Sequence, residues 1–326
     1  MGGRAESREP KVAEDLHFYK IPANLYQPNE IIGKDLYLLY QGQYILYRPK
    51  NLLWQQEDSD RLKEFNVHHL YIQCDSVKTH HHFLEVNLSK IIDQPNIDSQ
   101  QKSQVIYETS QAIISDIFKN PNSPETVRRS VSFVKNSVDF LKTKENFLQL
   151  MKFAVTSFSE YTHALQVSAY SIALAQSVGM KTFNDLSAIG VGSILHDVGK
   201  TKINNKILEK AEILSEHERK EVERHPEYGY EILQKQRTIP ELSELIVLQH
   251  HERPTGNGYP YRLGSDMILS AKIVSVGDCF DSLTSDRPYK SKMKAIDAIR
   301  YMQTEVRDDY DQNLLMAFVK VLGMKG

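Results

Sequence analysis

The spacing of apolar residues changes near residue 100. Before that point they come in short β-type runs; after it they recur at three- and four-residue steps. Residues 35–40 and 43–48 flank Gly42 and predict a β-hairpin. Residues 61–65 suggest a short helix and 67–73 a further strand. Polar residues around Pro95, over 91–100, read as a linker. Val105, Ala112, Ile113 and Ile117 then fall near one helical face. Beyond the break at Pro121 and Pro124, Val127, Val131, Val134 and Val138 keep the same step. From Glu145 the pattern is helical throughout. Helices are predicted over 161–178, with Gly179 as a natural residue to end one, and over 185–198, 242–251, 270–283 and 294–302.

These elements predict an α+β protein. A disordered, charged lead-in at 1–16 precedes a small α/β domain at 17–92. A helical linker spans 93–145, and an all-α domain of bundle type spans 146–326. The helices between 101 and 145 suit a connector or a dimerisation element, so a homodimer is one expected assembly. Tyr residues and Trp54 concentrate in the small domain, as a sheet core or as a ligand-sensing surface.

Composition narrows the partners. Hydrophobic residues make up 40% and charged residues 25%, and the formal charge is -2. So balanced a chain has no global field for DNA, RNA or anionic lipid; any phosphate must be held by local charge. Cys74 and Cys279 read as two reduced, buried thiols of a reducing compartment. No run approaches the roughly 18 apolar residues of a membrane span. The start has no apolar signal core, and Glu6 stands where myristoylation wants Ser or Thr. The expected location is cytoplasmic.

The chemistry lies in the histidines. His196-Asp197 and His250-His251 are adjacent pairs; His163 and His225 stand before and between them, and Asp278 follows. Each alone is ordinary. Together, separated by helical segments, they suit the inward-facing ligands of a bundle. Imidazole and carboxylate accept iron, manganese or zinc. Seven such groups exceed one tetrahedral ion and suit two ions sharing a carboxylate, a layout that hydrolyses phosphate esters. His80-His81-His82 reads instead as a solvated turn, because consecutive side chains diverge.

Leu195-His-Asp-Val-Gly-Lys200, His225, His250-His-Glu-Arg-Pro-Thr-Gly-Asn-Gly-Tyr-Pro260 and the stretch from Ala271 to Lys290, with Gly277-Asp-Cys-Phe-Asp281 and Ser285-Asp-Arg-Pro-Tyr-Lys290, resemble an HD-GYP domain. That family belongs to the HD superfamily of metal-dependent phosphohydrolases, and the resemblance covers about 145–326. Residues 19–71 are loosely similar to a small domain that precedes some of its members. The resemblance implies an HD-type helical bundle that hydrolyses cyclic di-GMP to linear pGpG, and onward to GMP.

Carried over by position, one ion is held by His163, His196, Asp197 and Asp278, the other by Asp197, His225, His250 and His251. Asp197 bridges, and a bridging hydroxide is the nucleophile. Iron is the first expectation for the two divalent ions and manganese the second. Lys200, three residues after Asp197, shares its face if the helix persists and then orients the scissile phosphate. The resemblance places Arg287 and Lys290 on the substrate phosphates. Gly256, Gly258 and Gly264 allow tight turns beside the nucleotide. Tyr259 either stacks on a base, hydrogen-bonds near the leaving group, or anchors the loop. Cys279 is assigned to packing.

Two departures matter. Three-metal members carry a glutamate where this chain has Ser159, and Glu160 is one residue out of place, so two metals are expected. The loop has Thr255 in place of an aspartate and Pro254 where an aromatic is common. The alternative reading is therefore a weakly active or inactive domain that senses a cyclic dinucleotide or docks onto a signalling-protein partner. A third is an HD-type hydrolase of another nucleotide.

Overall fold

The computed structural model describes residues 17–154, 159–286 and 291–324. The lead-in at 1–16, Arg287 and Lys290 lie outside them. The chain is α+β and divides into two compact units, the first ending at Asn87 and the second beginning at Leu88.

The first unit holds four antiparallel strands, β1 (His17–Pro22), β2 (Leu36–Tyr40), β3 (Gln43–Arg48) and β4 (His69–Cys74), in the order β1-β4-β2-β3. The expected hairpin is β2–β3, turning through Gln41 and Gly42, both with positive φ, a combination that suits the right-handed twist of the strands. The aromatic residues pack on one another: Phe18 stacks on Tyr44, and buried Trp54 lies against Tyr26 and Tyr47 with its indole N–H donated to Ser59 Oγ. Helices α1 (Gln56–Glu64) and α2 (Val77–Val86) complete the unit.

The three consecutive histidines are helical, not a turn. Ser76 caps α2, His80 is buried against Tyr19, and its Nε2 lies 3.0 Å from the Lys20 carbonyl. Helical spacing puts one ring of three on the sheet, which the divergence argument alone did not foresee.

The second unit is helical. It runs α3 (Leu88–Asp93), α4 (Ser99–Lys119), α5 (Pro124–Val138), α6 (Lys144–Ala154), α7 (Glu160–Ser177), α8 (Phe183–Leu195), α9 (Asn205–Leu208), α10 (Glu216–Val222), α11 (His225–Gln234), α12 (Glu241–Gln249), α13 (Leu269–Thr284), α14 (Ala295–Thr304) and α15 (Gln312–Val321). The stretch at 93–145, expected as a linker, is part of this unit: α4 packs on α5, α6 and α7, and α5 covers α8. Val127, Val131, Val134 and Val138 are all buried, so the apolar face read from spacing meets the core of this unit. At the centre α8 is buried from Leu186 to Leu195, packed on α7 and α12. The predicted helix over 161–178 is α7, ending at Ser177 with Gly179 in the left-handed region as its C′ residue. Among the described residues no helix is long and apolar enough to cross a membrane.

Candidate metal centre

Three of the ligand-type histidines sit at helix ends. His196 and His250 directly follow α8 and α12, and His225 opens α11. Each ring uses Nδ1 in the same way, 2.7–2.8 Å from the carbonyl three residues earlier: Ser193, Val222 and Val247. For His196 and His250 the acceptor is a carbonyl of the last helical turn, which has no intrahelical partner. A carbonyl only accepts, so Nδ1 carries a hydrogen and Nε2 is the ring atom turned toward the other site residues. Those Nε2 atoms converge. Nε2 of His225 and His250 are 3.2 Å apart, as are Nε2 of His163 and His196.

Asp197 stands between the two groups. Its Oδ2 lies 3.3 Å from His196 Nε2 and 3.7 Å from His163 Nε2, while Oδ1 lies 3.3 Å from His225 Nε2. Asp278, on α13, completes the first group with Oδ1 at 3.4 Å from His163 Nε2. His251 completes the second with Asp197, His225 and His250. All seven predicted residues are thus brought together: Asp197 with His225, His250 and His251, and His163 with His196 and Asp278, with Asp197 Oδ2 near both His163 and His196.

The donor set fits cations. Oδ1 of Asp197 is buried with no hydrogen-bond partner, facing an imidazole lone pair. Two lone pairs at 3.2 Å repel unless a positive charge lies between them. Burial, with the Lys200 charge nearby, pushes His225 down to about 4, against the pull of Asp197. Burial holds His250 and His251 well below the usual imidazole value too. Those three rings are neutral and ligand-ready at neutral pH. His163 differs. Burial opposes its charge, but hydrogen bonds donated to the Asp278 and Asp281 carboxylates, with their negative charge, outweigh burial and raise it to about 10. In the metal-free protein a proton on His163 supplies the charge a cation would supply. Burial likewise opposes charge on Asp197 and Asp278, and the histidines around both, with Lys200 beside Asp197, overcome it and hold the carboxyls well below 3.8.

Asp281 was quoted only as part of a motif, and it has a place in the site. It is fully buried, and its Oδ2 lies 2.6 Å from His163 Nδ1. A carboxylate there fixes the ring's tautomer and orientation. The signal was legible: Asp278 and Asp281 are three apart on one helix, hence on one face.

Lys200 reaches Asp197 by a route other than the expected one. α8 stops at Leu195, but Val198–Lys202 forms a 3-10 turn, where side chains three apart eclipse. Lys200 Nζ lies 2.6 Å from Asp197 Oδ2. Gly199 makes this packing possible, since a Cβ there would meet the His225 carbonyl oxygen at 1.9 Å.

The loop after His251 is closed by Glu252, which sequence reasoning left without a role. This fully buried carboxylate accepts the backbone N–H groups of Tyr261 (2.6 Å), Arg262 (3.1 Å) and Leu263 (2.9 Å). Gly258 is a closure point of this loop: a Cβ there would lie 2.4 Å from Arg253 N. Tyr259 stacks on His251, with ring centroids 4.7 Å apart. Thr255 is exposed and hydrogen-bonds Asp309. Ser159 caps α7, its Oγ accepting from Thr162 N. Both cysteines are free thiols.

Residues 142–314 match the HD domain family. A cyclic di-GMP phosphodiesterase of Pseudomonas aeruginosa is 36% identical over 178 residues, 54% of this chain and 42% of that protein. A cyclic di-GMP phosphodiesterase response regulator of Xanthomonas campestris is 36% identical over 149 residues, 45% of this chain and 39% of that one. A 3'3'-cGAMP-specific phosphodiesterase of Vibrio cholerae is 31% identical over 175 residues, 52% and 37% of the two chains. The matched region spans less than half the length of these relatives. Among solved structures, Bd1817, a HDG"Y"P protein from Bdellovibrio bacteriovorus, shares the fold with TM-score 0.64 and 21% identity, over 94% of this chain and 100% of that one.

Proposed function

The chain belongs to the HD domain family, and on that premise we propose that it is a metal-dependent phosphodiesterase that opens cyclic di-GMP to linear pGpG. The observation that carries this reading is Asp197, a buried carboxylate with one oxygen toward each histidine cluster and one of the two without a hydrogen-bond partner. His163, His196, Asp197 and Asp278 would hold one divalent ion, and Asp197, His225, His250 and His251 the second, iron before manganese. When bound, two such ions acidify water to a nucleophile at neutral pH and offset phosphate charge.

The chain's own groups do the rest. Three Nδ1–carbonyl bonds and Asp281 hold the imidazoles in one tautomer, so little reorganisation accompanies binding. Lys200, hydrogen-bonded to Asp197 but about a quarter exposed, keeps ammonium hydrogens for a phosphate oxygen. Arg287 and Lys290 are proposed as further phosphate contacts on the resemblance alone.

The second reading, a weakly active or inactive domain that senses a cyclic dinucleotide or docks onto a partner, rests on the altered loop and on an N-terminal domain larger than catalysis needs. Closure of that loop depends on Glu252, and residue 255 is exposed on its outer side. This favours turnover. The test is anaerobic loading with Fe(II) or Mn(II), incubation with cyclic di-GMP and chromatography of the products. Appearance of pGpG is expected; binding with neither metal giving cleavage would establish the sensor instead.

A further inference from the structure

A second cavity lies away from the metal centre, where the N-terminus of α6, the C-terminal part of α7 and the end of α15 meet. It encloses about 320 Å³, within the range of small-molecule sites. Its floor is apolar, formed by Phe147, Ala173 and Val321, with Phe147 itself buried. Its rim carries Lys142, Lys144 and Lys320. Lys142 is neutralised by an ion pair with Asp139. Neither Lys144 nor Lys320 pairs with a carboxylate among the described residues, and no acidic residue lines the cavity. The first turn of α6, an eleven-residue helix, adds its positive end on the same side; Glu145 of that turn is exposed and does not line the cavity. Ala173 is ten residues from His163 on α7, about 15 Å along the helix, so the cavity is distinct from the metal centre.

We propose that this cavity is a binding site for a small organic anion: a phosphate, sulfonate or carboxylate head held by Lys144 and Lys320, on a flat apolar body seated against Phe147 and Ala173. The arrangement separates the two demands. An apolar floor gives a bare inorganic anion nothing to displace, and unpaired ammonium groups give a neutral hydrocarbon no orientation. Both parts of the ligand are needed for more than weak binding.

The test uses the full chain and 1-naphthalenesulfonate, which carries both features and has no hydrolysable bond. Methanesulfonate serves as the head alone. Fluorescence titration should show saturable binding of the naphthyl probe that weakens with salt, and at least tenfold weaker binding of methanesulfonate by competition. The exposed double substitution Lys144→Glu/Lys320→Glu should weaken probe binding at least tenfold, and Ala173→Phe should block it with both lysines in place. Circular dichroism checks that each variant is folded. Asp197→Asn, which alters the metal centre, should leave probe binding unchanged. No saturable binding, binding indifferent to the lysine pair, or binding lost with Asp197→Asn would each overturn the assignment.

Discussion

The two halves of the metal centre are built from different chemistry. One is rich in carboxylate: His163 lies between Asp278 and Asp281, with Asp197 close by, and its pKa is raised to about 10. The other is rich in imidazole: His225, His250 and His251 share one carboxylate, and burial depresses all three. Without an ion, the first half compensates its negative charge with a proton, and the second compensates by staying uncharged. Burial acts alike on both; the count of carboxylates decides the outcome. The two halves should therefore differ in how their loading depends on protons, although a single residue joins them.

The harshest way to break the comparison is to remove that shared residue. Asp197→Ala should empty both halves and abolish turnover; plasma emission would then count no bound metal per chain against an expected two. A variant retaining two ions would show that the halves do not depend on a common carboxylate. His163→Ala and His250→Ala should each remove one ion and leave the other, so that the counts fall to one in both.

Asp281→Asn acts on one half only. Loss of a carboxylate behind a ligating imidazole costs about 10–100-fold in metal affinity. The loss should fall on the carboxylate-rich half, and calorimetric titration would resolve it as one weakened step of two. Equal weakening of both steps would place Asp281 outside the His163 half. The same titration tests the proton. A group raised to about 10 is protonated at neutral pH, so an ion must displace that proton. Affinity of that half should rise with pH, by about tenfold per unit for one proton released, and level off above about 10. The imidazole-rich half, already deprotonated above about 4 at His225, should show no such slope between pH 6 and 8. Comparing heats in two buffers of different ionisation enthalpy counts the proton directly.

The smallest effect is expected at Ser159. Its hydroxyl caps α7, the helix that presents His163. Ser159→Ala should cost about 1 kcal/mol of stability, seen as a lowered denaturation midpoint with the metal count still at two. A change in metal count would instead make this position part of the centre.

Much of the fold was legible because the physics is local. Helical spacing of Val127, Val131, Val134 and Val138 marked a buried face, and Gly179 marked where α7 ends. Spacing does not say what covers a face, so α5 could be read as a connector although it lies in the core. The helix expected to reach Val198 stops at Leu195, because a 3-10 turn serves the same purpose in fewer residues. His80 shows the same limit: a solvated histidine and one stacked on Tyr19 are written identically in the chain.

By itself the amino-acid order determined which groups were available for the centre and, through adjacency such as His196-Asp197 and His250-His251, that they belonged together. It also determined the i−3 carbonyl that orients three of the rings, since that bond closes within one helical turn. Tertiary structure alone decided that Asp197 divides its oxygens between clusters, that Glu252 ties off its loop, and that Lys144 and Lys320 meet over an apolar floor. Those relations join residues that only packing brings within reach, and a carboxylate's partners are set by distance, which chain order does not contain.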